Sequence, residues 1–166
     1  FMELILERWI HILAGVTWIG LLYYFNFIQV PGLGKAKADG TAAGITKHIA
    51  PNALLWFRMA AAVTWLTGAV YLERGSFGLH AAFSLSGAAA PIGIGAWMGT
   101  IMLFNVWVLI WPNQKKVLGI VQASDEAKAK AARTAFLASR TNTMLSIPML
   151  FFMITGSPVH TMGVFG

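Results

Sequence analysis

The chain reads as an all-α integral membrane protein: four transmembrane helices in an antiparallel bundle, with a cytoplasmic amphipathic helix before the fourth span. Three observations predict this. Of 166 residues, 57% are hydrophobic and 11% charged, giving a mean hydropathy of +0.67, well above that of an ordinary soluble domain. The apolar residues gather in four nearly uncharged runs, each about as long as the helix that a hydrocarbon core of roughly 30 Å requires. The basic residues fall almost entirely between those runs.

The first expected span covers about 9–30 and closes at Pro31-Gly32, a pair that ends helices. The second, about 53–72, follows the start signal Pro51-Asn52 and carries one charge, Arg58. The third, about 92–111, lies between Pro91 and Pro112. The fourth, about 142–160, contains Pro148 and Pro158, which predict a kink or a frayed end. Before it, about 124–140, the run "QASDEAKAKAARTAFLASR" is rich in helix formers and charge. Ser124 is its expected N-cap, and Asp125 and Glu126 complement the helix dipole. Residues 1–166 are read as a single transmembrane domain.

Lys35, Lys37 and Lys47 occupy the first loop, and Lys115, Lys116, Lys128, Lys130, Arg133 and Arg140 the third, against Arg74 in the second and Arg8 near the N-terminus. The positive-inside rule then places loops one and three in the cytoplasm and both termini in the periplasm of a bacterial inner membrane. The first apolar run is too long for a cleavable signal peptide and lacks a basic leader. Phe1 before Met2 suggests an incomplete or processed start. The net charge of +6 is explained by these loops, so nucleic acid is rejected as a partner; the expected partners are the lipid bilayer and other membrane subunits.

Trp9, Tyr23, Tyr24, Trp56, Tyr71, Trp107 and Trp111 lie toward span ends, as interfacial anchors do. Gly15, Gly68 and the GxxxG spacing Gly95 to Gly99 permit close helix approach. Asn26, Gln29, Asn105 and Asn142 are expected to hydrogen-bond between helices. All six carboxylates lie outside the spans or at their edges, so no buried acid–base pair speaks for a hydrolase or a proton pump.

The chain has no cysteine, which excludes an iron–sulfur cluster, a thiolate metal site and a covalent c-type haem. Any redox cofactor needs other ligands. An imidazole inside a span is costly unless paired or functional, so the histidines are the site candidates. On the expected topology His11, His80 and His160 share the outer side, and His48 lies in a basic inner loop. One reading has His11 simply reaching interfacial water, two residues inside Trp9. The other has His11 and His160 ligating one haem b iron between the first and last helices, with His80 as an alternative ligand and Gly15, Gly95 and Gly99 giving room for a porphyrin. No other metal site is expected. Arg58 is read either as snorkelling to lipid phosphate or as a contact for an anionic group inside the bundle.

Four stretches, "WIHILAGVTWIG", "ALLWFR" with "TWLTG", "GTIMLFNVWVLIWPNQKK" and "RTNTMLSIPMLFFM", resemble in the same order the membrane domain of the PuuD-type urate hydroxylases, the membrane-bound cytochrome c urate oxidases. The resemblance implies an inner-membrane protein whose full-length relatives oxidise urate and pass electrons to a fused cytochrome c domain. This chain is expected to be a short form without that domain. Two functions follow. One is an accessory or structural subunit packed against a larger respiratory or photosynthetic electron-transfer complex. The other is a haem-binding membrane oxidoreductase or electron carrier related to urate oxidation. A transporter is less favoured, since paired broken helices and intramembrane carboxylates are lacking.

Overall fold

The computed structural model describes residues 2–157, and these contain helices and no strand. Five helical runs follow one another: α1 (Met2–Ala38), α2 (Ala42–Arg74), the short α3 (Leu79–Phe83), α4 (Gly87–Val117) and α5 (Asp125–Thr155). Three of them, α1, α2 and α4, are long and apolar enough to cross a membrane. α1 packs along α2, and α4 along α5. Between the pairs lies a core whose least exposed large side chains are Trp18 and Leu22 of α1, Phe57 of α2, and Met102 and Val106 of α4.

The helices overrun the expected boundaries. α1 passes through Pro31-Gly32 to Ala38, and α4 passes through Pro112 to Val117. α2 begins well before Pro51. The physical reason lies in a wider turn ahead of each proline. Tyr24–Gln29, Ile45–Ile49 and Asn105–Ile110 are π-helical. The amides of Val30, Ala50 and Trp111, each just before a proline, donate to the carbonyls of Phe25, Ile45 and Val106, five residues back. A proline ring clashes with the carbonyl four residues before it and brings no N–H. The π turn shifts the hydrogen-bonding pattern by one residue at that point, and the helix continues.

The true stops are glycines. After α1, Gly40 adopts φ +73° and after α4, Gly119 adopts φ +76°, the left-handed conformation that a side chain disfavours. Each closes its helix with paired reverse bonds: Gly40 N to Lys37 O and Thr41 N to Ala36 O, then Gly119 N to Lys116 O and Ile120 N to Lys115 O. Both satisfy carbonyls that the helix end would otherwise leave open.

α5 joins two expected elements into one. It runs unbroken from Asp125 to Thr155 through Pro148. Ser124 caps it as its sequence predicts, its Oγ accepting from the Ala127 amide at 3.2 Å. Ala131, Ala135, Ala138, Asn142, Ser146 and Met149 are buried at helical spacing along it, so one small-residue face lies against the bundle throughout. The last residues of the expected fourth span lie outside the described part of the chain.

Candidate functional site

His11 stands in the seam between α1 and α2. Its Nδ1–H donates to the Thr64 carbonyl at 2.7 Å. The ring lies over Gly68, where an added Cβ would come within 2.8 Å of its Cε1. Glycine at 68 is thus what lets the imidazole sit between the helices. The carbonyl fixes one tautomer, with hydrogen on Nδ1, and leaves the Nε2 lone pair to accept a bond or ligate a metal. Sequence could flag the histidine but not this partner, because a backbone carbonyl has no residue signature.

At the middle of the bundle a polar girdle ties α1, α4 and α5 together. Asn105 Nδ2 donates to Asn142 Oδ1 at 2.8 Å, and Asn142 Nδ2 donates to the Met102 carbonyl at 2.9 Å. Asn26 Nδ2 donates to Ser139 Oγ at 2.7 Å and to the Leu22 carbonyl at 2.9 Å. Tyr23 and Ser146 share a hydroxyl bond of 2.9 Å. Asn142 and Ser146 are fully buried. Two π turns supply this girdle: Asn26 sits in the first and Asn105 opens the last. The expectation that these amides bond between helices therefore holds for Asn26, Asn105 and Asn142. Trp18 Nε1, Asn26 Oδ1 and Gln29 Oε1 are buried without a partner among the described residues.

Within the described chain Arg58 contacts an aromatic ring. Its guanidinium lies over the Trp111 ring, 3.8 Å from the centroid, joining α2 to α4 by a cation–π contact. Trp111 and Tyr23, expected as interfacial anchors, both make contacts inside the bundle. A neutral bond between the same helices lies deeper, from Trp65 Nε1 to Thr100 Oγ1 at 2.8 Å. At the opposite end Arg74 pairs with Glu3 and Glu7, and Glu73 accepts the Leu79 amide at 3.0 Å at the start of α3.

Of the expected haem ligands, His11 has its Nδ1 held by the Thr64 carbonyl. His80 is exposed on α3, which packs on α4. His160 lies outside the described residues. The space beside Gly15 is occupied by Thr64 and that beside Gly95 by Met153, at 3.7 and 3.4 Å from an added Cβ. These glycines serve helix contact, not a porphyrin gap. Gly99 alone of the three has no such neighbour within 4 Å. Among the described residues no group of three or more His, Cys, Asp or Glu side chains is placed to hold a metal ion.

Neither a curated protein nor a solved structure matches the chain. One family does, over residues 70–163, and it is described as Urate oxidase N-terminal. The matched part runs from the end of α2 through α3, α4 and α5, and holds both members of the Asn105–Asn142 pair. It includes two of the four stretches that carry the resemblance to urate hydroxylases, "GTIMLFNVWVLIWPNQKK" and "RTNTMLSIPMLFFM". With more than half of its length matched, the chain belongs to the Urate oxidase N-terminal family.

Proposed function

We propose that this protein is a four-span bacterial inner-membrane subunit that packs into a larger electron-transfer complex, respiratory or photosynthetic. The observation that carries this reading is how the polar groups are distributed. Buried Asn26, Asn105, Asn142 and Ser146 bond one helix to another, while large apolar and aromatic side chains face outward on every long helix, among them Trp9, Trp56, Phe104 and Phe151. Such faces fit lipid or a neighbouring subunit, and the bonded interior fits a scaffold. In this reading the second half of α5 completes the fourth span, the lysine-bearing ends face the cytoplasm and both termini face the periplasm.

The test is gentle extraction from the native membrane followed by sizing and quantitation of what comes with it. Co-purification in fixed stoichiometry with redox subunits is expected. A monodisperse free protein would overturn the proposal.

A second reading is favoured by the His11 bond to Thr64: a haem-binding oxidoreductase related to urate oxidation. His11 Nε2 would hold the iron from one side, with His160 or His80 opposite, and the haem would supply one-electron transfer. The part of the Thr64 carbonyl is to orient that nitrogen through Nδ1. A pyridine haemochrome assay on the isolated chain decides the reading. About one haem b per chain, lost in His11→Ala, supports it; no haem, or an unchanged spectrum in the variant, overturns it.

A further inference from the structure

Arg58 and Lys115 approach the same indole. The Arg58 guanidinium stands 3.8 Å from the Trp111 centroid and the Lys115 ammonium 5.9 Å from it. All three side chains are half-buried, where α2 meets α4. Among the described residues neither cation has a carboxylate within ion-pair distance; Arg74 has two. An arginine inside an apolar helix is expensive, and the ring meets only part of its need, because guanidinium N–H groups lie in the plane and the indole offers them no acceptor. Along α4 from Trp111 toward the membrane centre, Val108 and Phe104 are exposed. A helix-bordered pair of cations above an apolar surface has the chemistry of a phospholipid seat: phosphate at the cations, acyl chains below.

We infer that Arg58, Trp111 and Lys115 form a specific site for the phosphate of an anionic glycerophospholipid. The guanidinium carbon stands 3.8 Å over the indole centroid, and its N–H groups, which the ring does not accept, suit an oxyanion. Lys115 adds a second charge on a flexible stem. The inference needs only that α2 and α4 cross a bilayer, and does not depend on which complex the chain joins.

The experiment counts lipids on the protein by native mass spectrometry after reconstitution in nanodiscs of equal phosphatidylglycerol and phosphatidylcholine. Wild type is expected to retain phosphatidylglycerol selectively. Lys115→Gln, outside the packed core, is expected to lower that retention about five-fold, and Arg58→Gln at least as much. Lys128→Gln on α5 is expected to leave it unchanged. Equal retention of the two lipids by wild type, or wild-type selectivity in Lys115→Gln and Arg58→Gln, would overturn the site. A loss in Lys128→Gln as large as in Lys115→Gln would show a diffuse basic surface and overturn it too. Millimolar inorganic phosphate is expected not to displace the lipid; displacement would reassign the cations to a free anion.

Discussion

Along the seam between α1 and α2 the helices meet through small residues and one imidazole, with a solvent-facing ion pair of Arg74 with Glu3 and Glu7 at the end. Along the seam between α4 and α5 they meet through a fully buried amide and, just past α5, through backbone. There an added Cβ on Gly156 would stand 2.5 Å from the Ile92 amide nitrogen. In the most apolar stretches of α1 and α2, 28% of the residues are buried, and in that of α4, 44%. What the difference teaches is where each pair can yield. A ring can turn aside at the first seam, but a helix backbone cannot at the second.

Gly156→Ala is the strongest way to break the contrast. It sets a methyl against the backbone of Ile92, and a loss of about 3 kcal/mol is expected, read as a lowered unfolding midpoint in detergent or nanodiscs. A near-neutral result would mean that the end of α5 is as yielding as the first seam. Next comes Asn142→Leu, which strands the Asn105 side-chain amide and removes the second donor to the Met102 carbonyl; about 1–2 kcal/mol is expected. Adding Asn105→Leu should recover part of it, and a double-mutant cycle measures the coupling.

At the first seam Gly68→Ala is expected to cost about 1 kcal/mol by displacing the His11 ring. Combining it with His11→Ala should cost less than the two single changes added together. Strict additivity would mean that the ring does not rest on Gly68. The smallest effect is expected from Arg74→Gln, because Arg74 and Glu3 are open to solvent and only Glu7 is mostly buried. Its change in unfolding midpoint should disappear in high salt, and a large salt-insensitive loss would mark that end as structurally central.

The apolar runs announced the long helices, because hydropathy at membrane length has few other readings. The amides announced their use too: Asn105 and Asn142 lie where lipid forbids an unpaired polar group. Proline misled the boundaries. Pro31 and Pro112 ordinarily end helices, and nothing local in "YFNFIQVP" or "NVWVLIWP" distinguishes a stop from a π turn that carries the helix onward. The glycines that do end the helices, Gly40 and Gly119, each follow a turn with two lysines, a stop signal that the prolines upstream overshadowed. Of the site, His11 and Arg58 were visible as misplaced polarity. Their partners were not, since one is a carbonyl and the other a tryptophan that interfacial statistics assign to lipid.

The three π turns have a further consequence for phase. A turn that takes in one more residue rotates everything beyond it by about 100° relative to an ideal α-helix. A helical wheel drawn from Trp9 therefore assigns Lys35 and Lys37 to the wrong side, and one drawn from Pro91 does the same for Lys115. The azimuth of each lysine-bearing end is set by the bulge before its proline. A single-residue deletion within Asn105–Ile110 is expected to close that turn as ordinary α-helix, keeping Trp111 beside Arg58 and every contact from Ala90 to Phe104 in register.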